Sequence, residues 1–139
     1  MPSSETDAWP ELPYAAWKDT AATLQLWTQI VGKVRLALTP WLNHSWHVTL
    51  YVTARGLGTG PMPAGGDVLE IDFDFIDHVL WLRLGDGGFR QVVLKPMTVA
   101  EFYTETMAAV RALGVDVRIN EMPNEVADAV RFGDDTLHA

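Results

Sequence analysis

The sequence predicts an α+β fold: a two-layer sandwich in which an antiparallel meander of four to five strands carries two helices on one face, in the order α-β-β-β-β-α-β. Three observations lead there. Apolar residues recur at three- and four-residue steps between Ala15 and Leu38. Between Val68 and Leu94 the pattern changes to strict alternation, broken by short turn signals. A second periodic run then begins at Thr98, with Glu101 three residues on, which is the pattern of a capping box.

Met1 to Ala8 is polar, and Trp9-Pro10-Glu11-Leu12-Pro13 follows it. The prolines cannot continue a helix backwards, so residues 1–14 are expected to be an extended arm held by Trp9 and Leu12. In the first helix Trp17, Thr20, Leu24, Trp27, Val31, Val34 and Leu38 make the apolar stripe. Lys18, Gln25, Gln29 and Lys33 fall opposite, and Arg35 projects near the stripe's edge. Pro40 ends the helix. The aromatic stripe is read as core packing, not as a cofactor site.

Trp46 to Ala54 reads as the first strand, with two unlike faces. Trp46, Val48, Leu50, Val52 and Ala54 point one way; His47, Thr49, Tyr51, Thr53 and Arg55 point the other. Gly56 to Asp67 holds five glycines and two prolines in twelve residues, which predicts a long mobile hairpin loop. It has no lysine and no helix after it, so it is not a phosphate loop.

Val68 to Ile76 is the second strand, with Leu69, Ile71, Phe73 and Phe75 opposed to Glu70, Asp72 and Asp74. Asp77-His78 turns the chain into a third strand, Val79 to Leu84. Asp86-Gly87-Gly88 turns it into a fourth, Phe89 to Leu94. The second helix runs from Thr98 to about Leu113 and stops at Gly114, a natural residue just past a helix end. Val115 to Ile119 alternates and is read as an edge strand, closing a single domain over 15–119. Residues 120–139 are expected to form an irregular arm packing by Val126, Val130 and Phe132.

Composition narrows the function classes. The 139 residues suit one domain. Six tryptophans supply a core, since each buried Trp removes roughly 150–250 Å² from water, about 4–6 kcal/mol as an upper bound. There is no cysteine, which excludes disulfides, thiolate metal sites and Cys nucleophiles. A net charge of −8, with ten basic residues scattered along the chain, argues against nucleic acid. No signal peptide and no membrane span is visible, so a cytoplasmic protein is expected. The only serines are Ser3, Ser4 and Ser45, and none sits in a nucleophile elbow. His44, His47 and His78 with Asp74 or Asp77 could suggest a metal, but His44 and His47 need not share a side, and Asp72-x-Asp74-x-x-Asp77 lacks the glycine and terminal Glu of a calcium loop; no metal and no cofactor is expected.

Helices on one face leave the other face of the sheet over, carrying Tyr51, Arg55, Asp72, Asp74 and Trp81. In an antiparallel pair Arg55 should stand near Glu70 or Asp72, and Tyr51 near Asp74. Such a face is either solvated, with weak cross-strand ion pairs, or the floor of a pocket or interface. General acid–base chemistry by Asp72, Asp74 or Tyr51, with Arg55 as an electrostatic stabiliser, is open to it.

Longer motifs point to a family. Trp9-Pro10-x-Leu12-Pro13, Trp17-x-x-Thr20-x-x-Thr23-Leu24 and Trp27-x-Gln29-Ile30-Val31-Gly32-Lys33-x-Arg35-Leu36 come first. Asn43-His44-x-Trp46, Leu50 to Leu57, Asp72-Phe73-Asp74-Phe75-x-Asp77-His78 and the final Asp134-Asp135-Thr136-x-His138-Ala139 extend them. Together they resemble a bacterial domain-of-unknown-function family, DUF5996. The resemblance implies a longer two-part pattern, of which this chain corresponds to the N-terminal half, and hence either pairing with a second copy or a truncated version of the two-part protein. It also singles out Lys33, Arg35, Asn43, His44, Tyr51, Thr53 and Arg55 as polar residues that a core alone would not specify. Ser45 and Gly58 depart from the pattern, where Trp and Thr are expected, and both lie near the expected site.

The resulting expectation is a small-molecule-binding domain, with Arg55, Tyr51, Thr53, Arg35, His44, Asn43 and Lys33 around a polar or anionic ligand. The alternative is an oligomerisation module, a homodimer whose polar–aromatic sheet face is buried against a second copy.

Overall fold

A computed structural model of the chain describes residues 14–38, 50–123 and 129–139. The expected N-terminal arm, the Trp46–Thr49 part of the first strand, and Val126 lie outside the described residues. What is described is an α+β sandwich: two helices, and a six-stranded antiparallel sheet.

Helix α1 spans Tyr14–Leu38, 25 residues or about 38 Å. Its buried face is Leu26, Trp27, Ile30, Val31 and Val34. Trp17 and Thr20, expected in the stripe, are exposed. The apolar buried face therefore begins at Leu26, about two and a half turns past Trp17.

The strands are β1 (Tyr51–Val52), β2 (Gly56–Gly58), β3 (Met62–Ala64), β4 (Asp67–Asp74), β5 (Val79–Leu84) and β6 (Phe89–Val93). Their order is β1-β2-β4-β5-β6, with β3 also paired to β4. Two expectations change here. The first strand does not run to Ala54, because the chain turns at Thr53–Gly56. The glycine-rich segment is not one long loop, because it supplies two strands.

The glycines explain why. Gly58 pairs with Asp72, and Met62 pairs with Leu69. Thr59, Gly60 and Pro61 thus oppose only Glu70 and Ile71, one residue too many, which is a β-bulge between β2 and β3. Gly60 takes the positive φ (68°) that the bulge needs. Buried Thr59 repairs the ladder: its N–H donates to Ile71 O (3.0 Å), and its hydroxyl accepts from Ile71 N (3.1 Å). Ala64 then pairs with Asp67 across Gly65-Gly66, a two-residue turn with φ of 56° and 93°, the signature of a type I′ hairpin.

On one face Leu69, Ile71, Phe73, Leu80, Leu82 and Val92 meet the helices, all at most 4% exposed. Helix α2 spans Val99–Ala112. Its Phe102 is the hub of the core, stacked on Trp27 of α1 (4.7 Å, 5°) and lying 6.1 Å from Phe73 of β4. One ring therefore ties both helices to the sheet.

The capping box at α2 is complete. All four orphan amides of its first turn are satisfied. Thr98 N donates to Glu101 Oε1 and Glu101 N to Thr98 Oγ1. Val99 N donates to His138 O and Ala100 N to Asp135 O, both 2.9 Å. The Asp135-x-x-His138 stretch is thus part of the cap. Buried Asp135 holds that stretch in shape: its Oδ1 accepts from Leu137 N and His138 N, and its Oδ2 meets His138 Nδ1 at 2.7 Å.

Past Gly114 (φ 83°) no strand forms over 115–119. Val115 and Val117 are buried and Asp116 and Arg118 exposed, so the alternation is real. The apolar side packs into the core with no strand pairing among the described residues, and the expected edge strand is corrected to an extended segment. Phe132, in a 3-10 turn at Phe132–Asp134, is fully buried as expected.

Candidate functional site

Antiparallel pairing puts paired residues on the same face, so the registers define the face turned away from the helices. One row crosses it: Tyr51, Gly58, Asp72, Trp81, Gln91. Beside it runs Glu70, Arg83, Phe89. On the other side runs Gly56, Asp74, Val79, Val93.

Two interlocked turns hold one end of this face. Thr53 N donates to Gly56 O, and the Thr53 hydroxyl accepts from Gly56 N (both 2.9 Å) and Arg55 N (3.2 Å). That makes Ala54-Arg55 the tip of a hairpin. In the β4–β5 turn, Asp74 Oδ1 accepts from Ile76 N and Asp77 N, each at 2.9 Å. Arg55 joins the turns: Nε to Asp74 Oδ2 at 2.7 Å and Nη2 to Asp77 Oδ2 at 2.8 Å. Phe75 N donates to Arg55 O at 2.8 Å, closing the loop from the other side. The Arg55 bond, and then the backbone amides, hold the Asp74 carboxyl below its ordinary range; the same bond raises Arg55.

The expected pairings therefore shift. Arg55 meets Asp74 and Asp77, not Glu70 or Asp72. Tyr51 stands in the row of Asp72, not of Asp74. The chain turns at Ala54-Arg55 and β2 intervenes between β1 and β4, which displaces the register.

Between these turns and the β2–β3 bulge lies an open depression of about 420 Å³. Tyr51, Thr53, Arg55, Asp72, Glu70 and Arg83 surround it, and Gly58 and Gly60 contribute bare backbone. A Cβ on Gly58 would collide with Asp72 Oδ1, so the Asp72 carboxylate leans over the glycine, next to the Thr53 methyl. Burial, followed by the nearby Glu70, raises the Asp72 carboxyl above its ordinary value; Arg83 opposes this. Arg83 Nη1 lies a loose 3.4 Å from Asp72 Oδ2, and its guanidinium sits 4.3 Å from the Trp81 ring. At the rim, Arg35 donates from Nη2 to the Tyr51 hydroxyl (3.1 Å) and covers the Tyr51 ring at 5.0 Å.

The structure thus brings Tyr51, Thr53, Arg55 and Arg35 to one end of the sheet. Lys33 is elsewhere: it is buried on α1, 5.9 Å from the Phe132 ring, and burial lowers its pKa. Asn43 and His44 lie outside the described residues. Sequence reasoning missed the role of Gly58, whose signal was its departure from the expected threonine. It also missed Arg83, two residues past Trp81 on β5 and so on the same face. Among the described residues no three His, Asp or Glu gather to hold a metal ion, and no helix is long and apolar enough to cross a membrane.

A family model described as "Family of unknown function (DUF5996)" matches residues 9–139. The match takes in essentially the whole chain, not only its N-terminal half. No curated protein and no solved structure matches.

Proposed function

We propose, for a chain that belongs to the DUF5996 family, a binding function resting on its site alone: a domain that takes a small polar molecule in the depression between Tyr51 and Arg83. The carrying observation is the convergence of an aromatic ring, charges of both signs and side-chain-free backbone on one concavity. Thr53 and Arg55 act as its frame, because they build the turns that shape one wall. Arg55 already spends two nitrogens on Asp74 and Asp77, which weighs against the fork-like grip on an anion expected of it.

Native mass spectrometry of the purified protein tests this. A monomer with a reproducible extra mass supports ligand binding and gives the ligand's mass. A clean chain that stays clean after incubation with a metabolite extract counts against it.

A second reading, a homodimer module, has its own observation. Phe89 and Val93 are 52% and 58% exposed on the same face as Trp81, and β6 is an edge strand. A dimer in the same spectrum, lost in Phe89→Asp, favours this reading.

A further inference from the structure

We infer that the ligand of this depression is a small organic cation, a primary amine or guanidine, whose charged group sits against Asp72 in the slot over Gly58. The inference rests on the small-molecule reading above and names the class of ligand.

The slot is built by an absence. Tyr51 and Asp72 lie two strands apart in one row, roughly 10 Å by the usual strand spacing. The residue between them is Gly58, which has no side chain to fill the gap. Asp72 Oδ1 leans over that glycine into the space a side chain would take, with the Thr53 methyl beside it, and the Tyr51 ring borders the neighbouring Gly60. Among the described residues, the donor offered to the Asp72 carboxylate is Arg83, at a loose 3.4 Å and on the other oxygen. A half-buried carboxylate with one oxygen turned into an open slot lacks a donor, and an ammonium or guanidinium supplies several.

The charge balance points the same way. Glu70, Asp72, Asp74 and Asp77 are the acids of this end of the sheet; Arg55, Arg83 and, at the rim, Arg35 are the bases. The acids are in excess by one, before the net −8 of the whole chain is considered. Arg55 is bound to two of them. The free acidity lies at Asp72 and Glu70, which stand two apart on β4 and so share a face. Burial first, and then the neighbouring Glu70, raise the Asp72 carboxyl, while Arg83 opposes them. A bound cation lowers it again.

The test is a ¹H–¹⁵N NMR titration of the full chain with butylammonium chloride and, separately, sodium butyrate at equal ionic strength. The expected result is a saturable shift of the Gly58, Gly60 and Asp72 amides with butylammonium only. Asp72→Asn and Gly58→Ala are each expected to weaken it at least tenfold. The first removes the charge; the second fills the slot, displacing the Asp72 side chain and pressing on the Thr53 methyl. Retained dispersion of the remaining amides shows that each variant is folded. Saturable shifts at the same amides with butyrate, or undiminished binding by Asp72→Asn, overturn the cation while leaving a small-molecule site standing. No saturable response to either probe overturns both.

Discussion

Arg55 and Asp74 meet at 2.7 Å across two different turns, one exposed guanidinium against one buried carboxylate. The contact joins the β1–β2 hairpin to the β4–β5 turn. It also explains why Thr53, Arg55, Asp74 and Asp77 occur together in the sequence: each makes a bond that shapes one of these two turns.

Removing Arg55 leaves Asp74 buried without its partner. Arg55→Ala is expected to lower the urea midpoint, and Arg55→Lys to lower it less, since a lysine can still reach one carboxylate. The pH dependence has a definite sign. Asp74 titrates lower in the folded than in the unfolded chain, so its stabilisation is full above the unfolded value, about 3.9, and fades as pH falls through the folded value. The gap between wild type and Arg55→Ala should therefore close below about pH 4 in equilibrium denaturation. A gap that persists unchanged at pH 3 contradicts the assignment.

Asp72 has the opposite sign. Its carboxyl is raised in the fold, so the folded state favours the protonated form and the charge costs stability at neutral pH. Asp72→Asn is expected to raise the melting temperature at pH 7. The advantage should shrink as pH falls through the folded value and vanish below the unfolded one, about 3.9. A variant less stable than wild type at pH 7 would show that the loose Arg83 contact outweighs the burial cost.

Phe102 is fully buried between Trp27 and Phe73. Phe102→Ala is expected to cost about 3–5 kcal/mol, because it removes the ring packed between Trp27 and Phe73 and leaves a cavity. Against a typical total of about 5–15 kcal/mol that is enough to threaten the fold. Phe102→Leu keeps most of the volume and should lose less. Urea denaturation read by tryptophan fluorescence follows both, since Trp27 is the stacked partner.

Thr106 of α2 is fully buried, and its hydroxyl has no hydrogen-bond partner among the described residues. Thr106→Val keeps the shape and removes the orphan. A gain of about 1 kcal/mol is expected, measured in the same denaturation experiment. A loss would mean that a water or a neighbouring group satisfies the hydroxyl.

Much of this protein follows from its sequence alone. The capping box at Thr98, the alternation in β4 and β5 and the periodicity of α1 are local signals. Each depends on residues a few positions apart. The capping box and the apolar side of the strands reappear in the structure, whereas on α1 the buried side shifts, leaving Trp17 and Thr20 exposed and Lys33 buried. The tertiary structure decided the rest. Local composition made Gly56–Asp67 a loop, yet pairing with β4 turns it into two strands, a bulge and a two-residue hairpin. Alternation placed Arg55 and Asp72 on one face, yet the turn at Ala54-Arg55 gives Arg55 to Asp74 and leaves Asp72 leaning over Gly58. Lys33 looked like a site residue until packing put it beside Phe132. The reason is physical: periodicity reports which side of an element is buried, whereas partners across the sheet depend on register. One turn or one extra residue in a bulge resets the register for everything beyond it.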